Sequence, residues 1–278
     1  MNQNPLSQYF RQPAIYIRVP SQGRFYPTGT IDLPPNGEIP VLPMTTLDEI
    51  TYRTPDALFN GQAVASVIQS CIPSIKDAWA IPAMDIDTIL VAIRIATYGH
   101  EIDIDTQCPS CDQESAFGLD LRKVLEHITA PAYEKPVMHG DLEIYVKPMS
   151  YQELNINNMA QFEEQKAMQI LSDESIPEDQ RTHQMGEVLK KITEITIDAL
   201  STSIAAVKTP QSNVTERPYI REWLANCDRG LFARVRDHIV KIKQAGEIQP
   251  LNVTCSACQH SYQQVFTLNM TNFFADAS

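Results

Sequence analysis

A chain of 278 residues with 43% hydrophobic and 20% charged residues has the composition of a folded protein and can bury a sizeable core, as one insertion-bearing domain or two ordinary ones. Its formal net charge of −12, from 34 acidic and 22 basic residues, sets a repulsive field against phosphate backbones and anionic lipid, which argues against nucleic-acid and membrane partners. Met1–Pro5 has neither a basic nor an apolar leader, and no run approaches the roughly 20 apolar residues that span a bilayer, so synthesis in a cytoplasm is expected.

Residues 1–57 are crowded with turn formers: Pro13, Pro20, Pro27, the Pro34-Pro35 pair, Pro40 and Pro43, with Gly23, Gly29 and Gly37 between them. Proline fixes φ and removes a donor, so long helices are excluded and the stretch reads as an extended Pro-rich arm. Ala14–Ile17 and Ile39–Leu42 are its edge-strand pieces. Such an arm must pack on something to be ordered, either its own domain or a neighbouring subunit.

Residues 58–100 read as a helical segment. From Asp56, Ala57-Leu58, Ala63-Val64, Val67-Ile68 and Cys71-Ile72 recur at helical spacing until Pro73. A second helix is expected from about Asp85 through Ile89-Leu90 and Ile93, stopping at Gly99. Cys71 falls on the apolar side of the first helix and reads as a buried small hydrophobe.

In residues 101–149, His100–Thr106 alternates apolar and acidic residues, the period of a half-exposed strand. Cys108-Pro109-Ser110-Cys111 and a second strand-like run to Leu119 follow. Residues 150–246 read as helical. Leu154, Met159, Phe162 and Ile170-Leu171 mark one amphipathic stretch, broken at Ser172–Pro177, and Met185, Val188, Leu189, Ile192, Ile195, Ala199 and Leu200 mark the next. Their three- and four-residue spacing suits helices packed lengthwise as an antiparallel hairpin, within the chain or as a seam between subunits. Two shorter helices are expected at Arg217–Asn226 and Gly230–Gln244. Arg234, Arg236, Lys241 and Lys243 on the latter form a solvated face or a site for an acidic partner. Residues 247–278 then repeat the earlier unit, with Cys255-Ser256-Ala257-Cys258 between strand-like runs at Ile248–Thr254 and Ser261–Leu268.

Two Cys-x-x-Cys knuckles, each between two strands, are the halves of a zinc ribbon: one tight turn presents two thiolates, and zinc takes four in a tetrahedron. Cys108, Cys111, Cys255 and Cys258 are therefore the expected ligands of one structural Zn2+. The expected fold is α+β, a discontinuous four-cysteine zinc ribbon built on a small antiparallel sheet, with a largely helical insertion and the Pro-rich arm. The 143 residues between Cys111 and Cys255 exceed the usual spacing of roughly 15–20. Closing that loop costs roughly 4–5 kcal/mol plus a constant, against the order of 10–16 kcal/mol from a structural zinc site. Four thiolates close the shell, which speaks against catalytic zinc, and neither knuckle sits at the strand-to-helix junction of a redox motif. His100 and His260, beside the knuckles, suit hydrogen bonding behind the ligands, and Cys227 reads as a packing residue near a helix end. No phosphate-cradling glycine loop, His-Glu-x-x-His or Gly-x-Ser-x-Gly is present, so neither catalytic residues nor a small-molecule substrate are expected.

Several segments resemble a known family. Val19–Pro27 (VPSQGRFYP), Leu42–Glu49 (LPMTTLDE), Arg53–Gly61 (RTPDALFNG) and Arg94–Gly99 (RIATYG) are similar to the baseplate hub or hub-assembly proteins of T-even-type contractile-tailed bacteriophages, over roughly residues 19–120. The resemblance implies a non-enzymatic structural component of the virion tail baseplate, working through contacts with other baseplate and tail proteins. Two rivals remain: a transient assembly chaperone that leaves the finished particle, and a zinc-ribbon nucleic-acid adaptor. The adaptor is disfavoured by Asp103, Asp105, Asp112 and Glu114 around the first knuckle.

Overall fold

The structure is a computed structural model and describes residues 4–54, 61–171 and 178–266. The expected helix start at Asp56–Leu58, the break at Ser172–Pro177 and the strand end at Thr267 and Leu268 lie outside the described residues. So do the side chains of Ile170 and Leu171. The chain divides into two compact units, one made of Met1–Ala130 with Gly246–Ser278 and the other of Pro131–Ala245. Both mix helices with small antiparallel sheets.

In the first unit the arm lies on its own domain. Strands β1 (Ile15–Ile17) and β2 (Ile39–Val41) pair antiparallel, with Tyr16 opposite Pro40. Ile39 and Val41 turn inward and are fully buried, whereas Tyr16 faces out. Helix α1 (Thr46–Tyr52) was not expected among so many prolines, but a capping box starts it. Asp48 N–H donates to the Thr45 hydroxyl at 3.2 Å, and Thr45 N–H donates back to the Asp48 carboxylate at 2.8 Å.

Arg11 fastens the arm to α1 and to the next helix, α2 (Gln62–Cys71). Its guanidinium donates to Pro43 O at 2.6 Å, to the Asp48 carboxylate at 3.1 Å, and to the Ser70 carbonyl and hydroxyl at 2.7 and 2.8 Å. Burial raises the energy of the Asp48 charge. Hydrogen bonds from Thr45 and Ser70 and the Arg11 charge outweigh that and hold its carboxyl below the usual range.

Helix α2 buries Val64, Val67, Ile68 and Cys71 at three- and four-residue spacing. Helix α3 (Ala83–Tyr98) is buried nearly all round, through Ile86, Ile89, Leu90, Val91 and Ile93, and Gly99 ends it at φ 90°. Each such aliphatic side chain contributes roughly 1.5–3 kcal/mol by leaving water. Near the start of α3 the fully buried Asp85 carboxylate accepts Ser21 N–H at 2.8 Å and the Ser21 hydroxyl at 2.5 Å. These bonds tie the arm to the core helix. After Gly99, β3 (Glu101–Gln107) and β4 (Glu114–Asp120) form a hairpin, and α4 (Leu121–His127) returns against α3.

The second unit opens with β5 (Val137–His139) and β6 (Leu142–Val146) and continues into α5 (Tyr151–Leu171) and α6 (Glu178–Ser203), which pack side by side. Residues 150–246, read as helical, also contain β7 (Ile204–Lys208) and β8 (Asn213–Val214). These complete an antiparallel sheet of order β5-β6-β7-β8. Helix α6 gives way to β7 without a loop. The hydroxyls of Ser201, Thr202 and Ser203 donate back to the carbonyls of Asp198 and Ala199, which covers polar groups that the buried helix end would leave bare. Helices α7 (Arg217–Asn226) and α8 (Arg229–Gly246) close the core with Ile220, Leu224, Leu231 and Val235 against Ile144 and Val207. Arg234, Arg236, Lys241 and Lys243 of α8 are exposed, and Cys227 packs at the edge of this core at the end of α7.

The last strands, β9 (Leu251–Thr254) and β10 (Ser261–Gln264), form a second hairpin and belong to the first unit. The expected single small sheet is instead two separate two-stranded ladders, β3-β4 and β9-β10. Each hairpin satisfies its ladder internally, and what converges between them is the turns. Among the described residues no helix is long and apolar enough to cross a membrane.

Candidate metal centre

Both knuckles are built by the same local rule. In the first, Cys108 N–H donates to Gln113 O at 3.0 Å to close the hairpin, and Asp112 N–H donates to Cys108 O at 2.9 Å. In the second, Cys255 N–H donates to His260 O at 2.9 Å and Gln259 N–H to Cys255 O at 3.0 Å. In each, the residue after the second cysteine takes the left-handed conformation, Asp112 at φ 55° and Gln259 at φ 60°. That residue turns the chain back into the returning strand and leaves both sulfurs on one side of the turn.

The two turns meet. Cys108 Sγ lies 3.7 Å from Cys258 Sγ, Cys111 Sγ lies 3.7 Å from Cys255 Sγ, and all four sulfurs fall within 4.8 Å of one another. A tetrahedron of Zn–S bonds about 2.3 Å long has S···S edges of about 3.8 Å. The donor set and its spacing therefore fit a tetrahedral thiophilic ion, and all four sequence-read cysteines are brought together. Each first cysteine is buried, with Cys108 and Cys255 both 1% exposed, whereas Cys111 and Cys258 are exposed.

Ligand sulfurs must be deprotonated, and the backbone helps. N–H groups of Cys258 and Ala257 aimed at the Cys255 sulfur draw its thiol down to about 7. At Cys111 the Gln113 N–H favours the thiolate, but contacts with Cys258 and the other two thiols prevail and push it up to about 12.

His100 and His260 stand outside the group of ligating atoms. The His100 carbonyl accepts Leu121 N–H at 2.8 Å and its ring lies 3.8 Å from Glu101. His260 stacks on Tyr262 with ring centroids 6.3 Å apart. Cys71 is fully buried against the Arg11 guanidinium at 3.9 Å, and burial pushes its thiol up to about 12. Asp103, Asp105, Asp112 and Glu114 are all exposed, so the surface around the first knuckle is acidic.

Sequence reasoning missed the two polar fastenings of the arm, Arg11 with Asp48 and Ser70, and Ser21 with Asp85. The Thr45-x-x-Asp48 spacing marks the capping box and could have located the first. Nothing local marks the second, whose partners are 64 residues apart.

A family model described as T4 bacteriophage base plate protein matches residues 30–275. No curated protein and no solved structure matches the chain.

Proposed function

The chain belongs to the T4 bacteriophage base plate protein family, and on that premise we propose that it is a non-enzymatic structural component of the hub region of a contractile-tail baseplate, stabilised by one structural Zn2+. Cys108, Cys111, Cys255 and Cys258 are its ligands, and four sulfurs within 4.8 Å of one another carry that assignment. A structural ion bound by four thiolates supplies folding energy and no open coordination position. It holds the two knuckle hairpins as a rigid base, a discontinuous zinc ribbon. Residues 131–245, which separate the two knuckles in the sequence, supply contacts with neighbouring tail proteins. Exposed apolar side chains on the paired helices, Ile156 and Leu189, support this use, because each leaves apolar surface that a neighbouring protein can cover. The exposed carboxylates beside the first knuckle speak against nucleic acid as the partner.

Mass spectrometry of purified phage particles, combined with metal analysis of the isolated chain, tests the reading. The expected result is the chain present in finished tails and one zinc per chain. A chain needed for assembly yet missing from finished particles would instead be an assembly chaperone, and a metal-free native chain would remove the zinc.

A further inference from the structure

The outer strand of a sheet presents a row of unpaired backbone groups to any strand that can reach it. In the ribbon of β3 and β4 the ladder fixes which groups these are. Its bonded pairs are set at both ends, by Cys108 N–H on Gln113 O at 3.0 Å and Leu121 N–H on His100 O at 2.8 Å, and between them bonded and non-bonded pairs alternate. Thr106 with Ser115, Ile104 with Phe117 and Ile102 with Leu119 therefore bond across the ribbon, while Ala116 and Gly118 direct both N–H and C=O away from β3. Both residues are exposed, and among the described residues no strand pairs with this outer side.

Other outer strands are shorter or obstructed. Strands β1 and β2 have three residues, with Pro40 lacking a donor, β8 has two, and β9 and β10 have four. The Met138 carbonyl on β5 accepts the Arg234 guanidinium at 3.5 Å. Strand β4 runs for seven residues in unbroken register, without proline, lysine or bulge to turn a partner away. Beyond its small central residues stand acids: Ala116 lies opposite Asp105 and Gly118 opposite Asp103, with Glu101 and Glu114 on the same side of the ribbon. Asp103 leans across, since a Cβ on Gly118 would lie 3.6 Å from its Oδ1. The reverse side carries Ile104 and Phe117, both half-buried.

From this geometry we infer that the outer edge of β4 takes up, as a third strand, an extended segment of another tail protein in which basic and apolar residues alternate. Its backbone bonds to Ala116 and Gly118. Two basic side chains, two residues apart, lay their methylene stems over these small residues and bring their charges to Asp105 and Asp103. Its apolar side chains extend the row of Ile104 and Phe117 on the reverse side. Charge selects this occupant: Glu101–Leu119 contains no Lys, Arg or His, so an acidic strand or a nucleic acid is repelled. That the segment comes from a tail protein rests on the baseplate reading; the open edge and its charge rest on the ribbon alone.

The test titrates the full chain, by fluorescence anisotropy, with a labelled octapeptide of alternating lysine and valine blocked at both ends, and with its glutamate and valine counterpart. Amide exchange is followed in parallel by nuclear magnetic resonance. Only the lysine peptide should bind, and it should slow exchange at Ala116 and Gly118 at least about fivefold while leaving the outward amides of Asp103 and Asp105 unchanged. Asp103→Asn combined with Asp105→Asn should weaken binding at least about tenfold. Ala116→Pro, which removes an outward donor and no ladder bond, should do the same. Ala116→Lys, which keeps the backbone and sets a like charge against the peptide, covers the case in which proline disturbs the hairpin. No binding, equal binding of both peptides, or binding without protection at Ala116 and Gly118 overturns the inference. The measurement uses no phage particle, so its failure and a failure of the baseplate reading are seen separately.

Discussion

Ser21 grips the Asp85 carboxylate from both of its donors, the backbone N–H at 2.8 Å and the hydroxyl at 2.5 Å, in a site where neither residue has exposed surface. The Tyr26 hydroxyl is buried beside them but outside hydrogen-bond geometry, and burial followed by the Asp85 charge drives it far above its ordinary ionisation range. The residues that make VPSQGRFYP distinctive are therefore parts of one anchor for the arm. Gly23, at φ 80°, completes it, since a Cβ there would meet Leu33 Cδ2 at 2.9 Å.

Removing one half of the anchor strands the other. Ser21→Ala leaves a buried carboxylate short of a donor and should destabilise the first unit by about 1–3 kcal/mol. Urea midpoints followed by near-ultraviolet circular dichroism would measure this. A change too small to detect would mean that water reaches Asp85.

Asp85 also sets a pH dependence. Burial raises its carboxyl to about 6 against the pull of the Ser21 hydrogen bonds, whereas an unfolded aspartate ionises at about 3.9. The folded state therefore binds this proton more tightly. The stability that follows is fullest below about pH 4 and is lost as pH rises to about 6, on the order of 2–3 kcal/mol in all. Asp85→Asn should flatten that slope in denaturation midpoints taken across this range. If the slope persists in the variant, another group is its source.

Asp48 carries the opposite sign. Its carboxyl is depressed in the folded state, so its contribution is present above the unfolded value and fades as pH falls through the lower folded one. Arg11→Ala should loosen the arm, cost about 1.5–3 kcal/mol at neutral pH, and cost less in acid once Asp48 is protonated. Limited proteolysis within residues 4–20, sampled at both pH values, reads the effect directly.

Cys108→Ser and Cys255→Ser should each abolish zinc uptake and lower the thermal midpoint of the first unit by several degrees or more, while the core of residues 131–245 keeps its own transition. Calorimetry with and without chelator checks this. Baseplate assembly should fail in the same variants, and assembly by a zinc-free variant would refute the coupling.

In the second unit, packing should outweigh charge. Arg221 and Asp198 meet at 2.6 Å but both side chains are nearly half exposed, so Arg221→Ala should cost no more than about 1 kcal/mol. The adjacent Ile220 is 1% exposed, and Ile220→Ala should cost about 2–5 kcal/mol. Paired denaturation curves decide whether that order holds.

The cysteine spacing was legible because a knuckle is a local object: two residues between thiolates determine the turn before any tertiary contact forms. Helices α2, α3, α7 and α8 were legible for a similar reason, their apolar residues recurring every three or four positions. The sheet of residues 137–214 escaped because its strands are two to five residues long, too short for alternation to stand out, and β7 continues α6 without a turn signal. Helix α1 was masked by the prolines on either side, although its capping box stands in plain view at Thr45 and Asp48. Contacts such as Ser21 with Asp85 depend on where two distant segments land, which no local pattern encodes.

The order of translation gives the split knuckles one more consequence. Cys108 and Cys111 leave the ribosome long before their partners exist, and 143 residues must follow before Cys255 appears. The body between them has time to fold first. Closure therefore waits until nearly the whole chain has been made, and a product that stops short of Cys258 cannot supply all four sulfurs.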